Sequence, residues 1–246
     1  KALGGEAVAH FGDCADWGAT EALFKTAIDK FGDLNILVNN AGFCRDNMIF
    51  NMSEQDFDAV VRVHLKGHFC NMHHATKYWR NKNKTENKPV YGRLISTASE
   101  SFFFGTPGQP NYSAAKAGIV QLTMGAAQVM FKAGVTANVI CPRARTQMTA
   151  TSALAAMFEK PESGFDYFAP EHISPLVGYL ASPRAANVSG EVFIVWGKQI
   201  SLVQRPSVGP EFNNEEAWTV DGVEKKLGSF FATRTPVKDG FTVPAM

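Results

Sequence analysis

The sequence predicts an α/β fold in which helices cover both faces of a doubly wound, mostly parallel sheet. Short apolar segments typical of strands alternate with segments of helical periodicity along most of the chain. Strands that are separated by helices run parallel, because each helix returns the chain to the edge where the previous strand began. The 246 residues are 45% hydrophobic and 19% charged, which is enough apolar material for a buried core and unlike a disordered chain.

Charge and cysteine content exclude several functional classes. The 24 basic and 23 acidic side chains leave a net charge of +1, which gives no electrostatic basis for binding nucleic acid or an anionic membrane. No segment approaches the roughly 18 uninterrupted apolar residues of a membrane-spanning helix. The four cysteines lack the spacing of a disulfide framework or a zinc site. We therefore predict a cytoplasmic protein with neither nucleic acid nor membrane as partner and without a metal.

The first elements of the chain are a strand, a helix and a second strand. We predict the strands at 6–12 and 35–38 and the helix at 20–31, whose apolar residues fall on one face. The opening Lys-Ala-Leu-Gly-Gly is typical of a helix end followed by its glycine stop. We therefore expect the chain to begin in the middle of a larger pattern.

A long helix is predicted to begin after Ser53. The Ser53 side chain is suited to cap the helix, and Asp56 lies three residues further on. An apolar stripe at spacings i, i+3, i+4 and i+7 consists of Phe57, Val60, Val61 and His64. His64 is therefore expected on the buried face, and a polar loop is expected at 80–88.

The second half of the chain continues the alternation. The predicted strands are 93–97, 136–141 and 192–196, and the predicted helices run from Pro110 to about 132 and from 170 to 181. Scattered proline and glycine residues interrupt the pattern from about 203 onward. We therefore predict one domain over 1–202 and a C-terminal extension over 203–246 that packs on it.

The helix that begins at Pro110 carries a tyrosine and a lysine at i, i+4. This spacing places Tyr112 and Lys116 on one face, about one turn apart. A tyrosine titrates near pH 10, and a neighbouring lysine cation favours the phenolate and lowers the tyrosine pKa. Ser99 ends the preceding strand, thirteen residues earlier, where its hydroxyl is able to bind a substrate oxygen. Taken alone, the Tyr/Lys pair occurs often by chance and is more typical of an ordinary helix surface.

Four motifs in the same order and spacing resemble the short-chain dehydrogenase/reductase family. They are Asn39-Asn40-Ala41-Gly42 after an apolar strand, Ser99, Tyr112-x-x-x-Lys116, and Pro142 after another strand. The resemblance implies a Rossmann-type domain that transfers hydride between a nicotinamide cofactor and a hydroxyl or carbonyl carbon. It further implies that Tyr112 is the general acid/base, that Lys116 binds the nicotinamide ribose and tunes Tyr112, and that Ser99 orients the carbonyl.

The resemblance also implies a cofactor site. Its residues would be Asp13, Cys14, Asn39, Asn40, Ala41, Gly42, Tyr112, Lys116, Pro142, Ala144 and Thr146. The family's glycine-rich phosphate loop has no counterpart in this sequence, so the first βαβ segment is lacking. We expect that segment, of roughly 50–60 residues, to precede Lys1. We expect NAD as the cofactor and keep NADP as the alternative.

Two departures from the family pattern narrow the substrate class. His64 stands in Val-His-Leu-Lys-Gly where the family usually has asparagine, and Pro142 is followed by Arg143 where the family has glycine. Both variations resemble the D-3-hydroxyacyl-CoA dehydrogenase unit of the peroxisomal multifunctional enzyme and its bacterial relatives. The resemblance implies a bulky apolar hydroxy or keto substrate, of 3-hydroxyacyl-CoA or hydroxysteroid type, and a homodimer or homotetramer. We predict that His64 shares the proton relay of Tyr112.

Several alternatives remain open from the sequence. The chain is either an enzyme or a catalytically silent binding or assembly subunit, because the phosphate loop is missing. The Phe102-Phe103-Phe104 run fits either the wall of a substrate pocket or the core. Arg143 and Arg145 fit either a phosphate contact or a solvated loop. His64 and His68 have metal-ligand spacing on a helix, but no third ligand is evident.

Overall fold

A five-stranded sheet organises the computed structural model, which describes residues 4–150 and 155–236. The strands lie in chain order, β1 to β4 parallel and β5 antiparallel to β4. Their bounds are Ile36–Asn39 for β1, Gly92–Thr97 for β2, Val135–Pro142 for β3, Val192–Trp196 for β4 and Gln199–Leu202 for β5. The predicted α/β fold with a mostly parallel sheet is confirmed.

Nine α-helical segments accompany the sheet within the described ranges. They are α1 (Trp17–Phe31), α2 (Glu54–Val61), α3 (Gly67–Glu86), α4 (Ser101–Phe104), α5 (Pro110–Met130), α6 (Gln147–Ala150), α7 (Ser174–Ala181), α8 (Val220–Val223) and α9 (Ser229–Phe231). A π-helical turn, Arg62–Lys66, joins α2 to α3. The Ser53 hydroxyl accepts a hydrogen bond from the Asp56 backbone N–H, which confirms the predicted cap. None of the helices in these ranges combines the length and apolar character needed to span a bilayer.

The core lies on both faces of the central strands. On one face, Leu94 and Ala137 pack with side chains of α3 and α5. On the other face, Ile95 and Ile140 pack with Leu176 and Leu180 of α7. The edge strand β1 differs, because Ile36 and Val38 remain exposed on its outer face.

Two expectations about the first half of the chain were wrong. Residues 6–12 form no strand, and Phe11 is 92% exposed, because the described residues offer this segment no partner strand. The polar segment at 80–88 is not a loop, since α3 continues to Glu86 and ends at Asn87, which has a left-handed φ of 50°. Lys82 stabilises this extra turn through ion pairs with Asp33 and with Glu86, four residues on.

The second half of the chain also departs from prediction in two places. The helix expected over 170–181 is divided into a 3₁₀ turn, Pro170–His172, and α7. Pro175 lacks the N–H that would continue the first turn, so it restarts the helix as one of its first residues. The strand β5 was not predicted. It pairs with β4 after a turn at Gly197, whose positive φ of 48° is readily adopted by glycine.

The proposed domain boundary at 202 remains a prediction. Most described side chains between 204 and 236 are exposed. Val203 packs against the core cluster that contains Trp196. The predicted helix end at Lys1–Gly5 lies largely outside the described residues.

The sheet topology brings the motif residues together. Asn39, Thr97 and Pro142 end β1, β2 and β3, and these three strands are parallel neighbours. Their carboxyl ends therefore meet at one edge of the sheet, where α/β folds place their ligand sites.

Candidate active site

The tyrosine and lysine lie at the start of α5, directly beside the end of β2. Pro110 begins the helix, so both side chains fall in its first two turns. Lys116 is 3% exposed, and its Nζ donates a hydrogen bond of 2.7 Å to the carbonyl oxygen of Thr97. The same Nζ lies 5.3 Å from the centroid of the Tyr112 ring. Burial lowers the pKa of Lys116 to about 8, because desolvation disfavours the ammonium.

Ser99 and Tyr112 meet at the carboxyl end of β2. The Ser99 hydroxyl lies close enough to the Tyr112 phenol to act on its pKa, in the direction that favours the phenolate. Burial is the largest influence, however, and it raises the pKa of Tyr112 above its ordinary value. From the sequence, we expected Lys116 to lower the pKa of Tyr112. That expectation of a net decrease was wrong, because the cost of burying the phenolate exceeds the favourable contacts.

His64 occupies the π-helical turn and faces Tyr112. Its side chain is buried, its ring packs edge-on against the Tyr112 ring at 5.1 Å between centroids, and its Nε2 lies 2.8 Å from the Phe43 carbonyl oxygen. A Cβ on Gly42 would lie 2.0 Å from His64 Cε1, so only glycine fits there. Burial, aided by the Lys116 charge, lowers the pKa of His64 to about 4. The imidazole is therefore neutral at physiological pH.

His68 lies one turn further along the same helix. Its Nδ1 is 2.7 Å from the His64 carbonyl oxygen, and since a carbonyl only accepts, Nδ1 carries the proton. Burial lowers the pKa of His68 to about 3. Each histidine thus has one ring nitrogen engaged by a backbone carbonyl. In the part of the chain that the structure describes, no cluster of three metal-ligating side chains is found.

The expected cofactor residues that follow β1 are more exposed than Lys116 and His64. Asn40, Ala41 and Gly42 are exposed at the end of β1. Asn39 is buried, and its Nδ2 makes no hydrogen bond within the described residues. The Asn39 amide is therefore the first candidate to bind a ligand in this cleft.

The second part of the expected cofactor site follows β3. Pro142 ends that strand, Ala144 is buried, and Thr146 is exposed. The Thr146 backbone N–H donates to the Thr149 hydroxyl at 2.7 Å, which forms a compact turn. These residues lie on the strand next to the one that leads to Ser99.

Asp13 and Cys14 form a separate loop beside the π-helical turn. Asp13 accepts a 2.8 Å hydrogen bond from the Ala15 backbone N–H and pairs with Arg62 at 2.5 Å. The Ala15 N–H first, and then Arg62, lower the pKa of Asp13. Cys14 Sγ lies 3.9 Å from the Val63 carbonyl oxygen, next to His64 in the chain. The loop is thereby attached to the helix that carries His64.

The two arginines after β3 both have acidic partners. Arg143 pairs with Glu100 through two hydrogen bonds, and Arg145 pairs with Asp166. The alternative of a solvated loop is wrong for Arg143, whose side chain is 8% exposed. A role for Glu100 was not predicted from the sequence, although the position of an acidic residue directly after Ser99 could have indicated one.

One residue of the phenylalanine run supports the core alternative. Phe102 packs against the core cluster around Trp196, and its ring stacks on Phe103 at 3.9 Å. Phe104 is exposed beside the turn that follows Ser99. Two cavities lie elsewhere, one of about 540 Å³ between α1 and α3 and one of about 370 Å³ at the opposite end of β2 and β3.

Comparisons with known proteins agree with this arrangement. The family model described as short chain dehydrogenase matches residues 1–156. The hydroxyacyl-CoA dehydrogenase ChsB1 of Mycobacterium tuberculosis is 45% identical over 235 residues, which are 95% of this chain and 74% of that protein. The peroxisomal hydratase-dehydrogenase-epimerase of Neurospora crassa is 35% identical over 227 residues, which are 92% of this chain and 24% of that protein.

Solved structures show the same fold. A short chain dehydrogenase from Mycobacterium avium superposes with a TM-score of 0.84 at 42% identity, covering 98% of this chain and 79% of that one. Levodione reductase superposes with a TM-score of 0.69 at 25% identity, covering 80% of this chain and 78% of that one.

Proposed function

Because the chain belongs to the short-chain dehydrogenase family, whose members oxidise CH–OH groups or reduce the corresponding carbonyl groups, we propose that it interconverts a secondary hydroxyl and a ketone on a bulky apolar substrate. The substrate would be a 3-hydroxyacyl-CoA or a hydroxysteroid. The observation that carries the proposal is the convergence of Ser99, Tyr112 and Lys116 at the carboxyl end of β2. The relatives named above are dehydrogenases, reductases or multifunctional enzymes that contain one, which gives the silent-subunit alternative no support.

The side chains divide the acid/base work. Ser99 donates a hydrogen bond that orients the substrate oxygen, and Tyr112 exchanges a proton with that oxygen. Because burial raises the pKa of Tyr112, the phenol is protonated at neutral pH and ready to donate during ketone reduction. Alcohol oxidation requires the phenolate instead. We therefore expect oxidation to become faster as the pH rises.

Lys116 and His64 support that proton transfer. The Lys116 ammonium donates to Thr97 and keeps further N–H groups for the cleft. If His64 Nε2 donates to Phe43, its bare Nδ1 is buried with no hydrogen-bond partner among the described residues. A neutral imidazole with one donor and one acceptor offers what an asparagine amide offers at this position. His64 would thus link Tyr112 and Lys116 in one proton relay.

The residues present fit the nicotinamide half of a dinucleotide. The unpaired Asn39 amide and the Lys116 ammonium lie at adjacent strand ends, where they are suited to bind ribose hydroxyls and a carboxamide. Pro142, Ala144 and Thr146 would line the opposite side, and the Asp13 loop would approach the adenine. A bound NAD would supply the hydride acceptor, and NADP is the alternative.

Three further proposals concern the whole protein. We propose that 203–246 belongs with the domain over 1–202, since the similarity to the M. tuberculosis relative covers 95% of the chain. The homodimer or homotetramer would form through the long helices over 53–80 and 110–132. The cytoplasmic location remains a prediction from composition.

The test is a substrate panel on the purified full-length protein. We would measure NADH formation from NAD⁺ with 3-hydroxyacyl-CoA thioesters of increasing chain length and with a 3-hydroxysteroid and a 17-hydroxysteroid. Turnover that rises with acyl length or with the steroid ring system supports the proposal. A folded protein without turnover on either class, with NAD⁺ or NADP⁺, would overturn it.

A further inference from the structure

An almost fully buried ion pair joins the loops that follow β2 and β3. Arg143 Nε lies 2.6 Å from Glu100 Oε2, and Arg143 Nη2 lies 2.7 Å from Glu100 Oε1. Both side chains are close to buried, at 8% and 12% exposure. Two parallel hydrogen bonds between a guanidinium and a carboxylate fix the relative orientation of the groups as well as their distance.

Each partner is the chain neighbour of a site residue. Glu100 directly follows Ser99, and Arg143 directly follows Pro142, the last residue of β3. Arg143 is also held by β4, because its backbone N–H donates to Val195 at 3.0 Å and its guanidinium lies 5.2 Å from the Trp196 ring. The pair therefore anchors the residue after Ser99 to the two neighbouring strands.

We propose that Arg143 and Glu100 are positioning residues for the reaction, which hold the Ser99 hydroxyl in place against Tyr112 and cancel the charge beside it. This inference rests on the proposed function. A buried ion pair does not by itself indicate a more stable protein, because replacing it with apolar side chains of similar volume often leaves the protein equally stable. Because the pair lies next to Ser99, it is suited to position that side chain, whatever it contributes to stability.

The turn after Ser99 shows how the position would be transmitted. The Ser99 hydroxyl accepts a 3.2 Å hydrogen bond from the Ser101 backbone N–H, and Glu100 is the residue between them. Movement of the Glu100 backbone therefore changes the Ser99 side chain directly. A displacement of about 1 Å in such a site can reduce a rate by about 10²-fold.

The charges of the pair act on the same site. The titratable groups that face Tyr112 are Lys116 on its own helix, His64 from the π-helical turn, Cys44 and Asp46 after β1, and Cys141 of β3. Burial first, and then the Glu100 charge, raise the pKa of Cys141 in this group. Without Arg143, the uncompensated Glu100 carboxylate would favour the protonated phenol of Tyr112. Without the Glu100 charge, the positive charge of Arg143 would favour the phenolate of Tyr112.

The test compares three variants that alter the charges of the pair, the charge-keeping variant Arg143→Lys, and one control. Arg143→Met and Glu100→Gln each break the pair, and the double variant removes both charges. Lys82→Met breaks the Lys82–Asp33 ion pair, which lies between α3 and the loop before β1, away from the site. The pH dependence of kcat and KM is measured with NAD⁺ and 3-hydroxyoctanoyl-CoA, and Tyr112 is titrated by NMR of its ¹³C-labelled phenolic carbon, assigned with Tyr112→Phe.

We expect kcat to fall by about 10²-fold in both single variants, with little change in KM. The Tyr112 titration should move to higher pH in Arg143→Met and to lower pH in Glu100→Gln, and the double variant should return towards wild type. Lys82→Met should change neither kcat nor the titration. Arg143→Lys keeps the charge but loses the bidentate geometry, so its kcat should fall without a shift in titration.

Shifts of the same sign in both single variants, or an unshifted Tyr112 with kcat unchanged, would overturn the proposal. If Arg143→Met does not fold, Glu100→Gln and Arg143→Lys give the same decision. The NMR titration requires no turnover. A wild-type protein that is inactive on every substrate would thus contradict the proposed function, while the titration still decides the role of the ion pair.

Discussion

The two sides of the site differ in how far the protein itself fixes their side chains. On the catalytic side, His64 and Lys116 are buried, and each is held by a backbone carbonyl. On the cofactor side, Asn40 and Thr146 are exposed, and the Asn39 amide has no hydrogen-bond partner within the described residues. The groups that we propose to move protons are pre-positioned by the fold, whereas the Asn39 amide that we propose to bind the cofactor keeps N–H groups available for it.

The same contrast is visible in the causes of the pKa shifts. Burial is the first cause of the shifts of Tyr112, Lys116 and His64. For Asp13 the first cause is a local hydrogen bond from Ala15, and the carboxyl remains exposed. Substitutions on the catalytic side should therefore change rates and pH profiles, and those on the cofactor side should change affinity.

The largest effect is expected from Tyr112→Phe, which removes only the phenolic oxygen. We expect kcat to fall by about 10³-fold or more, because general acid/base catalysis contributes about 10²- to 10⁴-fold. The fold should be retained, which circular dichroism and the melting temperature would verify. Near-wild-type turnover in the folded variant would remove Tyr112 from the mechanism.

Gly42→Ala tests how tightly the catalytic side is packed. The new Cβ would lie 2.0 Å from His64 Cε1, so the imidazole must leave its present position. We expect a loss of about 1–3 kcal/mol in the free energy of unfolding and a lower kcat. The control is Gly125→Ala in α5, where a Cβ meets nothing within 4 Å and should stabilise by about 0.5–1 kcal/mol. Equal stability of the two variants, measured by urea unfolding, would show that His64 is not confined.

The pH dependence of the catalytic side follows from its neutral histidine. The pKa of His64 is lowered from 6.5 to about 4, so the unfolded chain binds a proton before the folded protein does. Stability from this group is therefore complete above pH 6.5 and is lost as the pH falls towards 4. His64→Asn should keep most of the activity and remove this loss, and His64→Leu should remove the loss but also reduce kcat. Urea unfolding and pH–rate profiles between pH 4 and pH 6.5 would show both effects. Unchanged profiles in both variants would mean that His64 is a packing residue only.

The parts of the fold that were predictable depend on local pattern. The strand at 192–196 was predicted to the residue, because a buried parallel strand is a continuous apolar run. Residues 6–12 have a similar pattern but form no strand, since a strand exists only beside a partner. The extension of α3 to Glu86 depends on the Lys82–Asp33 ion pair, whose partners are far apart in the sequence.

The same distinction applies to the candidate site, where local pattern was predictive and contacts between distant segments were not. Ser99, Tyr112 and Lys116 were found from spacing and motif order, because their arrangement follows from one strand and one helix. The Arg143–Glu100 pair was missed, because it joins loops after two different strands. The upward pKa shift of Tyr112 was also missed, since the extent of burial depends on how the whole chain packs.

The smallest effect is expected on the open side, from Asp13→Asn. The change keeps the shape of the side chain and its acceptor for the Ala15 N–H, but it removes the charge that pairs with Arg62. Both partners of that pair are more than 40% exposed, so the free energy of unfolding should change by less than about 1 kcal/mol. If Asp13 contacts the adenine, the dissociation constant of NAD⁺ should rise about 3- to 10-fold with kcat unchanged, since one hydrogen bond is worth about 1 kcal/mol. Calorimetric titration with NAD⁺ and with AMP compares binding of the whole cofactor with binding of its adenine half. The dissociation constants of both ligands should rise by the same factor. A lower kcat with unchanged AMP binding would instead mean that the Asp13 loop acts through Arg62 and the π-helical turn on His64, which would join the two sides of the site.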